Sequence, residues 1–166
     1  VLWIDEIEKG IATGDNDGGT SRRVLGTLLT WMAERKEPVF LVATANRIED
    51  LPAELIRKGR FDEIFFVDLP DAQVREEIFS IHLRRRGEDP AHYELAALAQ
   101  ATEGFTGAEI EQAVVASLYS ARAAGIPLNS AQVMAEVQAT VPLSVTMAEQ
   151  LARLRAWCHE RAVPAN

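Results

Sequence analysis

The sequence predicts an α/β half followed by an all-helical half. Short apolar runs without polar alternation, typical of buried strands, occupy residues 1–4, 39–43 and 64–67. A helical pattern separates the first two runs, and this order favours a parallel crossover. Beyond Pro70 the apolar residues recur only at helical spacing. We therefore expect two domains, residues 1–70 and residues 71–166.

The composition is that of a globular protein, with 48% apolar and 25% charged residues in a chain of 166. The apolar runs are too short to span a membrane. The net charge of −8 argues against broad binding to nucleic acid or anionic lipid. The single cysteine, Cys158, excludes an intrachain disulfide and suits a reducing compartment such as the cytoplasm.

The first apolar run ends in two acids, Asp5 and Glu6. In open α/β sheets the carboxyl ends of the strands form the edge at which ligands bind. Adjacent carboxylates can divide their work there, one binding Mg²⁺ and the next accepting a proton from an attacking water. On these residues alone, a strand that runs into a solvated turn remains the alternative.

A loop rich in Gly, Asn and Asp is predicted over residues 10–21. Gly14 and Gly19 have the spacing of a phosphate-binding loop, but Thr20 stands where that loop needs lysine. An EF-hand also fails, because no suitable Glu follows Asp15 and Asp17. The prediction is a flexible polar loop.

A helix is predicted from about Thr20 to Glu34, capped by Thr20 or Ser21. Its predicted apolar face consists of Val24, Leu25, Leu28, Leu29 and Met32. The second apolar run then ends near Asn46, which a parallel crossover carries to the same sheet edge as Asp5 and Glu6. The Asn46 amide could orient a water or contact a phosphate, or it could simply turn the chain.

A short helix follows Pro52, and Gly59 can close it. Arg57 and Arg60 lie three residues apart at its end. They are either charges that favour a helix C-terminus or guanidinium groups presented to a phosphate.

Helix signals continue through the second half. Asp71 caps a helix to about Arg86, and a further helix contains residues 95–99. Thr106 and Glu109 form the pattern of a capping box for a helix that ends near Ala124. Asn129 or Ser130 starts the next helix, and Thr146 starts the last.

Four stretches resemble blocks of the AAA+ ATPase family, in the family's order. VLWIDEIEK resembles the Walker B strand, VFLVATAN the sensor-1 strand, LPAELIRKGRFDEIFFVDLPD the second region of homology, and GFTGAEIEQAV the sensor-2 stretch. The C-terminal PLSVTMAEQLARLRAWCHERA resembles a bacterial, cyanobacterial and plastid branch of that family. The resemblance implies a P-loop NTPase-type parallel sheet followed by a small helical lid domain, in the cytoplasm or the plastid stroma.

The resemblance also implies roles for particular residues in binding ATP or ADP with Mg²⁺. Asp5 would coordinate the metal, Glu6 would be the general base, and Asn46 would be sensor 1. Arg57 and Arg60 would reach the nucleotide of a neighbouring subunit. Gly107 and Ala108 would lie near the nucleotide, and the loop over residues 10–19 would be a second pore loop.

No P-loop motif occurs in the sequence, and the chain begins inside an apolar strand without methionine. We therefore expect a fragment that is inactive alone, from a protein that hydrolyses ATP as a homo-oligomer, commonly a hexameric ring, and remodels a protein client. The alternative is a nucleotide-sensing scaffold without turnover. A DNA-bound initiator or clamp-loader subunit receives little support from the acidic charge.

Overall fold

A computed structural model of the chain describes residues 1–11, 19–57 and 59–165. These residues form two compact units. The first comprises Val1–Phe65 with Cys158–Val163, and the second comprises Phe66–Trp157 with Pro164–Asn166. The division into domains at residues 1–70 and 71–166 stays a prediction, and the structure groups Cys158–Val163 with the first unit.

The described residues of the first unit contain a short parallel sheet and three helices. The bounds are β1 (Leu2–Ile4), α1 (Ile7–Ile11), α2 (Thr20–Glu34), β2 (Leu41–Ala43) and α3 (Ala53–Ile56), with a 3₁₀ turn at Ile48–Asp50. Strand β1 pairs with β2 in parallel, and Trp3 lies opposite Val42. The predicted parallel crossover is therefore confirmed. Helix α1 already includes Gly10, where the loop was expected to begin, and residues 12–18 of that predicted loop lie outside the described residues.

Helix α2 has the predicted bounds, but its start differs from the prediction. Its N-cap is Gly19, at φ 81°, and no side chain of the described residues makes a capping hydrogen bond there. A left-handed backbone at the cap suits glycine better than the expected Thr20 or Ser21.

The apolar face of α2 is also narrower than predicted. Leu25, Leu28 and Leu29 pack against a cluster formed by Ile7, Ile11 and Leu55. Val24 is 46% exposed, because at 100° per residue it lies at the flank of the face that those leucines form.

The sheet of the first unit is covered unevenly. An apolar run without alternation predicts a strand buried on both faces, yet Trp3 in β1 is 61% exposed. Among the described residues, the hydrophobic cluster includes Ile4 of β1 but not Trp3. Strand β1 is therefore present as predicted, but the prediction that both of its faces are buried is wrong.

The third predicted strand is short. It covers only β3 (Phe65–Phe66), and its hydrogen-bonded neighbour is a two-residue strand near the end of the chain. Within the first unit, the backbone N–H of Val163 donates to Ile64 O at 2.8 Å. Phe65 and Val67 are largely exposed.

The second unit is helical. Its helices are α4 (Ala72–Arg84), α5 (Leu95–Ala101), α6 (Gly107–Ala124), α7 (Ser130–Ala139), α8 (Leu143–Thr146) and α9 (Ala148–Cys158), the last residue of which belongs to the first unit. Helices α4, α5, α6 and α7 pack around one core that includes Phe79, Leu98 and Ile110. In the part of the chain that the structure describes, no helix is long and apolar enough to cross a membrane.

The predicted caps of this unit are confirmed at three helices. Asp71 accepts the Val74 N–H, and capping boxes start α6 at Thr106 and α7 at Asn129. The last predicted helix corresponds to α9, but it begins at Ala148 and not at Thr146. Thr146 instead ends the short helix α8, because the chain leaves helical geometry at Met147.

One carboxylate contacts the starts of two helices. Glu109 Oε2 accepts the Thr106 N–H at 2.8 Å, and its Oε1 accepts the Leu143 N–H at 2.6 Å. Nearby, Gly104 has φ 80°, and a Cβ atom at this position would lie 2.5 Å from Ser144 Oγ. The connection before α6 is therefore packed closely against the start of α8.

Candidate functional site

The structure brings Asp5, Glu6 and Asn46 together at one edge of the parallel sheet. Asp5 and Glu6 follow β1 directly, and Asn46 lies three residues beyond β2. Thr44 connects the two strand ends, because its hydroxyl donates to Asp5 Oδ1 and accepts the Glu6 N–H at 2.9 Å. The convergence that the strand order predicts at this edge is present in the structure.

Glu6 is held in an unusual conformation. Among the described residues it is the only non-glycine residue with positive φ, at 48°. Side chains disfavour this region, which costs of order 1–3 kcal/mol and occurs often at functional sites. The backbone turns sharply here because Glu6 N–H bonds to Thr44 Oγ1 while the Ile7 N–H donates to Thr44 O at 2.9 Å.

Both carboxylate oxygens of Glu6 have a partner. Oε1 accepts from Asn46 Nδ2 at 3.0 Å, and Oε2 accepts from Lys9 Nζ at 2.6 Å. The hydrogen bond to Glu6 is the main cause that raises the pKa of Lys9, followed by the negative charge of Glu6. Because Lys9 is well exposed and its partner half-buried, this ion pair can exchange for other contacts at little cost.

Glu8 is a residue of this edge for which the sequence predicted no role. It lies in α1, is only 5% exposed, and its Oε1 accepts the Asn46 backbone N–H at 3.1 Å. Within the described residues its other oxygen, Oε2, is buried without a hydrogen-bond partner. The sequence signal was the third acid at Glu8, but its spacing alone did not indicate burial.

The two arginines after α3 differ in their surroundings. Arg60 is half-buried, and its Nη1 donates to Leu29 O in α2 at 2.7 Å. Arg57 is exposed, and its guanidinium has no hydrogen bond or ion pair within the described part of the chain. Thus Arg60 is anchored inside its own chain and Arg57 is available to another molecule.

Gly107 and Ala108 lie in the second unit, at the first turn of α6. A helix start leaves its first backbone N–H groups without intrahelical partners, and this favours an anion. Gly107 also lies close to α4, since a Cβ atom there would lie 3.5 Å from Ile78 Cδ1. The position therefore suits a small residue, with Ala108 exposed beside it.

The histidines do not form a metal site in the described residues, where no group of three or more His, Cys, Asp or Glu side chains is arranged to hold a metal ion. His82 instead lies in a polar cluster with Glu111 of α6 and Arg86, which follows α4. Its Nδ1 lies 3.3 Å from Glu111 Oε1, which also accepts from Arg86 Nη2 at 2.9 Å. The hydrogen bond from Arg86 is the main cause that lowers the pKa of Glu111.

Comparison with known proteins identifies the family of the first segment. Residues 1–69, which include the Asp5, Glu6 and Asn46 edge, match the family described as "ATPase family associated with various cellular activities (AAA)". Residues 1–69 therefore belong to the AAA family.

Relatives extend the similarity beyond the AAA segment. The chain is 46% identical over 160 residues to the AAA domain-containing protein ycf46 of Pyropia yezoensis, a match that covers 95% of this chain and 32% of the relative. It is 41% identical over 129 residues to the proteasome-activating nucleotidase of Saccharolobus solfataricus, which covers 73% of this chain and 32% of the relative. The chain thus spans about a third of the length of these relatives.

A solved AAA structure supports the fold. The FIGL-1 AAA domain in complex with ADP matches with a TM-score of 0.74 at 19% identity, covering 96% of this chain and 57% of that chain. The predicted fold class, a mixed α/β AAA-type sheet region with a helical region, is therefore confirmed, with a short parallel sheet and many helices.

Proposed function

We propose that the full-length protein binds Mg²⁺-ATP and hydrolyses it, with the edge formed by Asp5, Glu6 and Asn46 as the hydrolytic centre. The observation that carries this proposal is the hydrogen bond of 3.0 Å between Asn46 Nδ2 and Glu6 Oε1, made by a Glu6 in strained backbone geometry. A carboxylate held by a neighbouring amide, beside a second carboxylate, suits a general base next to a metal ligand.

Asp5 fits the metal role. It is exposed, and in the described residues only its Oδ1 has a hydrogen-bond partner, the Thr44 hydroxyl. Mg²⁺ is commonly held by one or two carboxylates together with substrate phosphates, so a single acid at this position is sufficient. Bound Mg²⁺ would neutralise charge on the phosphates during transfer of the γ-phosphoryl group.

Glu6 would accept the proton of the attacking water. The water oxygen forms a bond to the γ-phosphorus, the bond from the γ-phosphorus to the bridging oxygen of ADP breaks, and one water proton passes to Glu6 Oε2. That oxygen is the one that the exposed Lys9 now contacts, so Lys9 must release it first. The Asn46 amide keeps the other oxygen in place.

Arg57 would act in a neighbouring subunit. An exposed guanidinium without a partner in the described residues can stabilise phosphate charge across an interface, as arginine fingers do. Arg60, bonded to Leu29 O, would hold the turn that presents Arg57. This division implies a homo-oligomer, and we infer a ring, commonly hexameric in this family.

We also propose a phosphate contact at the first turn of α6, in the second unit. The first-turn N–H groups at Gly107 and Ala108 lack intrahelical partners and suit a phosphate. Movement of such helices with nucleotide state would convert hydrolysis into work.

We infer a protein client. The relative in S. solfataricus is named a proteasome-activating nucleotidase, and the net charge of −8 disfavours nucleic acid as the partner. The single cysteine supports a reducing compartment, the cytoplasm or the plastid stroma.

The deciding experiment is Glu6→Gln in the full-length protein. Turnover of ATP should fall about 10²- to 10⁴-fold, because the amide cannot accept the water proton, while ATP affinity stays close to wild type. Steady-state phosphate release and equilibrium binding of a fluorescent ATP analogue measure the two quantities.

The matched control is Glu63→Gln, which removes one negative charge from an exposed position of the same unit and should leave turnover unchanged. Equal turnover in Glu6→Gln and wild type would remove the general-base assignment. ATP binding with no turnover in either protein would favour a nucleotide-sensing scaffold.

A further inference from the structure

Glu8 has a buried carboxylate at the sheet edge. Among the described residues it is the only buried acid, and one of its oxygens has no partner. Burying a carboxylate with incomplete hydrogen bonding costs free energy. A buried polar group without a partner requires an explanation. Two such explanations are stored strain and a role in catalysis.

The satisfied oxygen of Glu8 contacts the catalytic edge directly. Oε1 accepts the Asn46 backbone N–H at 3.1 Å, while the Asn46 side chain donates to Glu6 at 3.0 Å. Asn46 is exposed and lies three residues after β2, two residues beyond Thr44, whose backbone N–H donates to Ile4 O at 2.9 Å. Glu8 therefore holds the backbone of a residue whose side chain holds the proposed base.

A favourable interaction with the start of α1 does not account for Glu8. An acid in the first turn of a helix gains from the helix dipole while remaining in solvent. Glu54 has that position in α3, as the second residue of a short helix, and it is exposed. Glu8 has the same place in α1, yet its side chain is turned inward onto Asn46.

We propose that Glu8 is a positioning residue that fixes Asn46 so that its amide stays on Glu6. The proposal rests on the proposed function, because the position of Glu6 matters through hydrolysis. Small displacements of a catalytic group can cost about 100-fold in rate, so a single backbone hydrogen bond at this place has a large effect.

Three variants of the full-length protein test the role of Glu8. Glu8→Ala removes the acceptor for the Asn46 N–H, and kcat should fall about 10- to 100-fold with KM for ATP nearly unchanged. Glu8→Gln keeps an acceptor oxygen and should stay close to wild type. Glu54→Ala removes the matched first-turn acid of α3 and should leave kcat unchanged.

A double-mutant cycle separates positioning from general damage to the fold. If Glu8 acts through Asn46, the double variant Glu8→Ala/Asn46→Ala should have the same kcat as Asn46→Ala alone. The two proteins are compared at the same folded fraction. A further tenfold fall in the double variant would overturn the proposal. So would a kcat of Glu8→Ala equal to that of wild type.

A crystal structure of the Glu8→Ala protein gives a readout that does not depend on turnover. The separation of Asn46 Nδ2 and Glu6 Oε1 should increase beyond hydrogen-bond distance. An unchanged separation near 3.0 Å overturns the positioning role, whatever rate of ATP hydrolysis the variant has. If that separation increases in Glu8→Ala but Glu6→Gln turns over ATP as fast as wild type, the proposed function alone is overturned.

Discussion

Different kinds of interaction stabilise the interior of each of the two units. In the first, the described core is a cluster of three buried residues, and the sheet edge is organised by hydrogen bonds around Thr44. In the second, ten buried residues form one core among four helices. The proposed chemistry therefore lies where packing is sparse and polar contacts are dense. Polar contacts set the geometry of the first unit, and apolar burial sets that of the second.

A leucine-to-alanine substitution, made once in each core, gives the largest expected effect on the free energy of unfolding. Leu55 in the first unit and Leu98 in the second are both fully buried. Leu98→Ala should cost about 4–5 kcal/mol, because its closely packed neighbours cannot collapse into the cavity, and Leu55→Ala about 2–3 kcal/mol. Urea unfolding read by hydrogen exchange of each unit measures both values.

Val24→Ala is the control for that pair, because Val24 is exposed and its change should stay within about 0.5 kcal/mol. An equal cost for the two leucines would remove the contrast between a sparse and a dense core.

Polar contacts of the first unit can be removed with little change in volume. Thr44→Val deletes the hydroxyl that contacts Asp5 and the Glu6 N–H. We expect a loss of about 1–2 kcal/mol of stability and at least a tenfold loss of ATP turnover in the full-length protein. Calorimetry and phosphate release measure the two losses.

Thr27→Val is the matched substitution for Thr44→Val. Among the described residues, the Thr27 hydroxyl donates only to Arg23 O, one turn earlier in α2, and Thr27 is exposed. Its removal should leave turnover unchanged. A similar loss of turnover in both variants would mean that the threonines of this unit act through general packing.

The smallest expected effect is the pH dependence of a surface pair in the second unit. Burial raises the pKa of Asp68, but the hydrogen bonds from Arg155 and from the Leu69 backbone, with the charge of Arg155, outweigh it and lower the pKa overall. A lowered pKa in the folded state stabilises the protein above the unfolded value near 3.9, and this gain is lost as pH falls through the folded pKa.

Asp68→Asn should therefore lose stability at pH 7 and lose little at pH 2. Both side chains of the pair are about a third to a half exposed, so solvent screening limits the effect to below about 1 kcal/mol. Urea midpoints at the two pH values measure the difference. The exposed Asp62→Asn is the control, and an equal change for both variants would assign no stability to the pair.

The sequence predicted those features that local chemistry decides. The capping box at Thr106, the helix start at Asn129 and the bounds of α2 and α6 follow from spacing and side-chain type within a few residues. The meeting of Asp5 and Asn46 followed from strand order alone, since parallel neighbours end at one edge.

Features set by distant contacts could not be predicted in this way. The burial of Glu8 depends on the Asn46 N–H, 38 positions away, and the positive φ of Glu6 depends on Thr44, also 38 positions away. The exposure of Trp3 depends on which described elements cover β1. The anchoring of Arg60 by Leu29 O distinguishes two arginines that the sequence left equivalent.

The close approach at Gly104 makes the fate of a mutation there depend on another residue. Alanine at 104 would meet two obstacles, the Ser144 hydroxyl at 2.5 Å and a φ of 80°. Ser144→Ala would remove the first, since the Ser144 Cβ lies at an ordinary 3.5 Å, and leave a backbone cost of about 1–2 kcal/mol. The effect of substituting Gly104 therefore depends on residue 144: without the serine hydroxyl, only the backbone cost remains.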